Sequence, residues 1–290
     1  MVPVLVVSAA DQPYAGLLLD MVRSVRAAQL PGFQIGCLDL GLDAATRGTL
    51  SGLADHVVKP GWPFKPHPVF DAAPTHLARA VRPFLPKYFP GFDVYIWLDA
   101  DCWVQMGEAL KTLAHVASGG AMAVVPAVDR SYFHHFRSRT WVFERYRMAL
   151  GAEAAKQLLP YSYINSGVFA LKSGAPHWRA WEQKFQEALD RWKGKFLSDQ
   201  AVLNALIYLD RLPAIFMPAE YNWLCHLALP MWAPERKLLI SPNFPWSPLG
   251  IIHNTFRTKQ RAVQLRSPKG QVVTTELSYT AYRALATRQT

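Results

Sequence analysis

Short apolar runs separated by amphipathic stretches set the rhythm of this chain. Residues 2–7 (VPVLVV) are continuously apolar, the pattern of a strand buried on both faces. Small residues, Asp11 and Pro13 follow, and then an amphipathic stretch over 16–28 that predicts a helix. Residues 34–40 predict a second strand, 43–53 a helix and 56–58 a short third strand. This alternation predicts a parallel sheet with helices on both faces. A proline- and aromatic-rich stretch over 61–74 reads as a loop, and 75–88 as a helix broken at Pro83 and Pro86. Further strands are expected at 94–98, 121–126, 163–171 and 249–253, with helices at 176–189 and 201–209, and after 212–217 the chain loses regularity. In the first of these helices Trp178, Trp181, Phe185 and Leu189 share one face, a core stripe. With no internal repeat and no low-complexity linker, the reading is one domain over 1–260 and an appended basic segment over 261–290.

Composition narrows the class. A hydrophobic fraction of 51% against 18% charged residues supports a sizeable core and excludes wholesale disorder. No apolar run approaches the ~18 residues that span a bilayer. The first ten residues carry no Lys or Arg ahead of their apolar run, so they read as a strand and not as a signal peptide. Cys37, Cys102 and Cys225 lie far apart with no CxxC, which points to a reducing, cytoplasmic setting. The formal charge is +10, and seven basic residues stand against Glu276 alone from Arg257 onward. Such a surface can attract a phosphorylated substrate or anionic lipid. No helix-turn-helix, RNP or zinc-finger pattern is present, so nucleic acid is not an expected partner.

The candidate chemistry sits where the strand at 94–98 runs out, in Asp99-Ala100-Asp101. Ligands of open α/β sheets bind beyond the carboxyl ends of strands, and the i, i+2 spacing of an extended segment sends both carboxylates the same way. Two hard oxygens at one point suit Mn²⁺ or Mg²⁺; a turn using Asp for its own hydrogen bonds is the other reading. Asn165-Ser166-Gly167 interrupts the apolar run at 163–171, the mark of a bulge, and bulges are frequent beside active sites. Ser198 with Asp199 opens a helix and reads equally as ordinary capping or as a site. Residues 130–147 mix aromatics and the pair His134 and His135 with five arginines, an acceptor-binding element or a plain surface helix. No carboxylate is spaced to join that His pair into a metal site.

Taken in order, these pieces resemble the GT-A glycosyltransferases of the family 8 type, which includes glycogenin and bacterial lipooligosaccharide galactosyltransferases. The opening AADQPYAGLLLDMVRSV is similar to that family's AADDNYA start, and Arg82-Pro-Phe-Leu-Pro ahead of YIWLDAD to its arginine and DxD segment. YINSGV resembles YFNAGV, SDQAVLN resembles DQDxLN, and His253 with Lys259 resembles HxxGxxKPW. The resemblance implies an α/β GT-A fold, Rossmann-like, with a mixed, mostly parallel sheet. It implies transfer from a nucleotide-sugar, most often UDP-linked, with Mn²⁺ (or Mg²⁺) on the diphosphate and retention at the anomeric carbon.

By the same resemblance Asp99, Asp101 and His253 are the metal ligands and Lys259 meets the departing diphosphate. Asp11 and Tyr14 face the nucleoside, while Arg82, Asn165, Asp199 and Gln200 hold sugar hydroxyls and phosphates. Asp129 falls where the family places a sugar- or acceptor-facing acid, and Gln200 on the face opposite the leaving group. The implied acceptor is a glycan or glycolipid, and the basic stretches are expected to bring the enzyme to an anionic membrane surface. The chain departs from the pattern at Phe256, which replaces the glycine of HxxG, at Gln260-Arg261 in place of Pro-Trp, and at Ala201 in place of the third acid. Two other readings stand beside this one: a nucleotide-sugar-binding protein without turnover, and a DxD phosphatase. The phosphatase motif normally lies near the N-terminus and continues with Thr or Val; here Cys102-Trp103 follows.

Overall fold

The computed structural model describes residues 2–65, 74–191, 198–259 and 261–287; most of the expected loop over 61–74 lies outside them. The strands are β1 (Val4–Ala10), β2 (Phe33–Asp39), β3 (His56–Val58), β4 (Val94–Leu98), β5 (Cys102–Val104), β6 (Met122–Pro126) and β7 (Ile164–Lys172). They continue with β8 (Ala214–Phe216), β9 (Trp223–Leu224), β10 (Met231–Ala233), β11 (Leu238–Ile240), β12 (Ile251–His253), β13 (Ala262–Arg266) and β14 (Val272–Glu276). The helices are α1 (Ala15–Ala27), α2 (Ala44–Ser51), α3 (Pro74–Ala80), α4 (Leu85–Tyr88), α5 (Gly107–Ser118), α6 (Phe136–Leu150), α7 (Ala152–Leu158), α8 (His177–Asp190), α9 (Asp199–Tyr208) and α10 (Tyr279–Thr287).

Seven strands form the main sheet in the order β3-β2-β1-β4-β7-β6-β8. All neighbours run parallel except at β7, which is antiparallel to both β4 and β6. The βα rhythm alone implied a parallel sheet; the reversed β7 follows from a long-range pairing that local periodicity does not carry. Side-chain alternation along β4 divides the core. Val94, Ile96 and Leu98 pack with residues of α1 and α5, whereas Tyr95 and Trp97 pack with residues of α8 and α9. Both faces are therefore covered, which is why β1 and β4 are apolar at every position but Ser8.

Two irregularities position the site. One step along β6, from Val124 to Val125, spans four along β7, from Phe169 to Asn165, so Asn165-Ser166-Gly167 bulges out of the ladder. A second sheet, β5-β12-β9, stands beyond the carboxyl end of β4. Its register sets His253 beside both Cys102 and Leu224. Asp101 immediately precedes β5, Asn222 immediately precedes β9, and His253 ends β12. Three segments far apart in sequence are thus brought to one point by backbone pairing.

Residues 262–287, read from the sequence as an appended basic segment, form a hairpin and a helix packed on the body. Trp103 Nε1 and Asn254 Nδ2 both donate to the Leu277 carbonyl, at 2.6 and 2.9 Å. Thr280 Oγ1 donates to Asp20 at 2.6 Å, and Tyr282 stacks near Trp103 with ring centroids 4.8 Å apart. Among the described residues no helix is long and apolar enough to cross a membrane.

Candidate active site

Asp99 leaves the end of β4 on the same side as Trp97, and that side is occupied by Arg82. The guanidinium donates to Asp99 Oδ1 at 2.6 Å and to the Ser166 hydroxyl and Asp199 carboxylate. It also lies over the Trp97 ring, 4.9 Å from its centroid. Ser166 Oγ donates in turn to Asp199 Oδ2 at 2.8 Å, and Trp97 Nε1 to Asp99 Oδ1 at 2.8 Å. Arg82 is only 6% exposed. Burial disfavours its charge, but the Asp199 and Asp99 carboxylates outweigh that and hold its pKa above the ordinary value. The arginine that the family resemblance assigned to donor contacts is therefore enclosed, and its visible work is to brace two carboxylates. Asp199 turns Oδ2 to Arg82 and Ser166, while its Oδ1 faces Arg79 Nε at 3.9 Å. The cap of α9 is Ser198, whose Oγ accepts from Ala201 N at 3.2 Å.

Asp101 points the other way, toward His253 and Lys259. Its Oδ1 lies 3.2 Å from His253 Nε2, and Lys259 Nζ is 2.6 Å from its Oδ2. Burial alone would raise this carboxyl, yet the His253 and Lys259 charges more than offset it and leave it well below the usual carboxylate range. Lys259, half-buried, is held above its ordinary value because Asp101 outweighs the cost of burial. Its ammonium also sits 4.8 Å over the Tyr14 ring and 3.4 Å from the Tyr14 hydroxyl. Asp99 Oδ2 approaches His253 Nε2 at 4.0 Å.

The chemistry of these atoms fits a hard or borderline divalent ion: two carboxylates and one imidazole converge, with Asp99 keeping one oxygen free of Arg82. Cys102 Sγ also lies within 4.8 Å of the Asp101 and His253 ligand atoms. Burial, and then the Asp101 and Asp99 charges, push that thiol well above its ordinary value, and it faces the Gly167 carbonyl at 3.8 Å. In the metal-free protein that thiol is thus a donor to a backbone carbonyl, although its sulfur stands within reach of an ion held by Asp101 and His253. Gly167 is required by close approach: a Cβ there would meet His253 Cε1 at 2.3 Å.

The bulge supplies the second half of the site. Asn165 Nδ2 and the Ser166 amide both donate to Gln200 Oε1, at 2.8 and 3.0 Å. Gln200 Nε2 donates to the Tyr163 hydroxyl at 2.8 Å. Asn165 Oδ1 accepts from the Gly167 amide and from Asn222 Nδ2, each at 2.9 Å. Asn222 Oδ1 meets His253 Nδ1 at 2.8 Å.

The fold thus joins Asp99, Asp101, His253, Lys259 and Tyr14 at one corner and Arg82, Asn165, Asp199 and Gln200 behind it. Asp11 is half-buried just past β1, three residues before Tyr14, and its carboxylate caps no backbone amide. Asp129 lies beyond β6 and uses its carboxylate within its own loop, accepting from Ser131 N at 2.7 Å. His135 caps α6, accepting from Arg137 N at 3.1 Å. Sequence reasoning passed over Asn222, which sits in an irregular stretch with no motif around it. Its only trace was a polar residue between Tyr221 and Trp223. The loop departure at Phe256 takes a specific form, since this residue adopts φ 49°, the left-handed region that favours glycine.

No family model matches the sequence, and no curated protein matches it. Solved structures do. The galactosyltransferase LgtC in complex with donor and acceptor sugar analogs aligns over 99% of this chain and 97% of its own, with TM-score 0.55 and 16% identity. The glycosyltransferase GlyE of Streptococcus pneumoniae TIGR4 aligns over 100% of this chain and 61% of its own, with TM-score 0.54 and 14% identity. The WbbM bifunctional glycosyltransferase covers 76% of this chain, with 39% of its own length, TM-score 0.53 and 16% identity. The chain has the GT-A glycosyltransferase fold and resembles the family 8 type in its structural neighbours.

Proposed function

We propose that this protein is a metal-dependent glycosyltransferase that moves a sugar from a nucleotide-sugar, UDP-linked, to a glycan or glycolipid acceptor with retention of anomeric configuration. One observation carries the reading: Asp99, Asp101 and His253 converge beyond the end of β4, with Lys259 and Tyr14 beside them. A Mn²⁺ or Mg²⁺ ion held by the first three would supply Lewis-acid charge for a diphosphate. Lys259 would exchange its pairing with Asp101 for the phosphate oxygens as the nucleoside diphosphate departs. Tyr14, 37% exposed, offers a ring face to the base, with Asp11 alongside for the nucleoside.

On the sugar side Asn165, Asp199 and Gln200 are the polar groups at hand, and Arg82 holds Asp199 and Asp99 in place. An amide is a poor nucleophile, so Gln200 is assigned to positioning the sugar or stabilising its oxocarbenium character. Asp129 is the acceptor-side acid in this reading. The transferase unit spans 1–260, acting from the cytoplasm. The arginines of 130–147 and of the C-terminal segment favour acceptors presented at an anionic membrane surface.

The test is release of UDP from a panel of UDP-sugars, with and without Mn²⁺, and the anomeric configuration of any product by NMR. Metal-dependent release from at least one donor is expected. Metal-dependent binding of UDP without release from any donor would turn the reading to a binding protein.

A further inference from the structure

The hydrogen-bond chain that leaves the bulge has a polarity that its side chains cannot choose. Backbone amides can only donate, so the Ser166 and Gly167 N–H groups fix Gln200 Oε1 and Asn165 Oδ1 as acceptors. With Oδ1 of Asn165 so committed, the Asn222 atom 2.9 Å away must be the amide nitrogen. The Asn222 oxygen is then the atom turned to His253, 2.8 Å from Nδ1, and it has no proton to give. His253 Nδ1 must donate. A proton is thereby assigned to Nδ1, and Nε2 is left as the nitrogen that faces Asp101 and Asp99 and would meet an ion held there. Asn222 and His253 are both almost fully buried, so water does not offer an alternative partner.

We propose that the β7 bulge sets the tautomer of His253 through Asn165 and Asn222, making Asn222 the positioning residue for the metal-facing nitrogen. The inference rests on the metal reading above. Metal-binding histidines are oriented by the partner of their other nitrogen, and loss of that partner costs tenfold to a hundredfold in affinity, on the order seen for such contacts generally. Here the partner is a neutral amide shared with Asn165, so the same chain ties the metal corner to the residue that holds Gln200. A disturbance at one end is felt at the other through two side chains.

The test uses Mn²⁺ alone, followed by loss of the free-ion electron paramagnetic resonance signal, on the wild type, Asn222→Ala and Asn222→Asp, with Asp101→Ala as the site control. Asn222→Ala should weaken Mn²⁺ binding about tenfold to a hundredfold. Asn222→Asp keeps an oxygen for His253 Nδ1–H but loses the donation to Asn165. It should retain Mn²⁺ binding at wild-type affinity or tighter while UDP release from the sugar donor falls. Unchanged Mn²⁺ affinity in Asn222→Ala, or equal losses in both variants, would overturn the proposal. Should Asn222→Ala fail to fold, the ¹⁵N shifts of the His253 ring in metal-free wild type, identified by comparison with His253→Gln, decide it. A protonated Nδ1 is expected and a bare Nδ1 overturns the proposal. A wild type with protonated Nδ1 but no Mn²⁺ binding would keep the tautomer and sink the metal reading instead.

Discussion

The two halves of the site are held together by different physics. Around Arg82 and Asp101 the closest contacts are ion pairs, Arg82 with Asp99 and Asp199 and Lys259 with Asp101, set in a largely enclosed corner beside His253. Around Asn165 and Gln200 every contact is between neutral amides and hydroxyls, with the polarity anchored in the backbone. Charged groups can trade partners when a ligand brings its own charge, as Lys259 is placed to do. The amide chain has one arrangement and cannot be re-sorted by charge. One half is therefore suited to binding and releasing a polyanion, and the other to holding a fixed geometry beside it.

If that contrast is right, the largest stability loss comes from breaking the charged half. Arg82→Met would leave the buried Asp199 with only the more distant Arg79 and the part-exposed Asp99 without its nearest cation, and should destabilise the protein by about 3 kcal/mol in urea or guanidinium unfolding. A loss under 1 kcal/mol would mean that water already screens the cluster. Gly167→Ala tests the neutral half. Its Cβ would meet His253 Cε1 at 2.3 Å and Asn165 Oδ1 at 2.8 Å, so a loss of about 1–3 kcal/mol is expected, with weakened Mn²⁺ binding. Wild-type behaviour would show that the ring and the bulge shift freely.

Much of this was legible in the sequence, and the boundary is physical. The apolar runs of β1 and β4, the break at Asn165-Ser166-Gly167 and the position of Asp99 and Asp101 are local patterns, and each appears as a local structure. The direction of β7 was not legible, because pairing with β4 and β6 is decided by residues far away in sequence. Arg82 could be found but not its setting: nothing local says that Asp99 and Asp199, 17 and 117 residues on, enclose it. The hairpin of β13 and β14 was overlooked although Ser267-Pro268-Lys269-Gly270 is a turn signal between β-favouring residues. Charge drew the reading there, and periodicity was the better guide.

The charged half should also show itself in pH, and the neutral half should not. Asp101 is depressed below its ordinary 3.8, so its pairing contributes stability above about pH 4 that is lost as pH falls through the lowered value. Lys259 is raised above its ordinary 10.5, so its share is present below that pH and is lost as pH rises through the raised value. Unfolding free energies of metal-free wild type and Lys259→Met should therefore differ most between about pH 4 and 10 and converge at both ends. A difference that stays constant with pH would contradict the pairing. The smallest effect is expected at Phe256. Its left-handed backbone, φ 49°, costs a non-glycine residue about 1–2 kcal/mol, partly offset by the chain entropy of glycine. Phe256→Gly should change stability by less than about 1 kcal/mol, leaving Mn²⁺ binding intact.

The central claim, that the corner at Asp99, Asp101 and His253 binds a nucleoside diphosphate through a divalent ion, is tested most directly by calorimetric titration of UDP with and without Mn²⁺, on wild type and on Asp101→Ala. The account predicts binding by the wild type only with Mn²⁺, and none by the variant. Equal binding with and without the metal, or undiminished metal-dependent binding by Asp101→Ala, would contradict it.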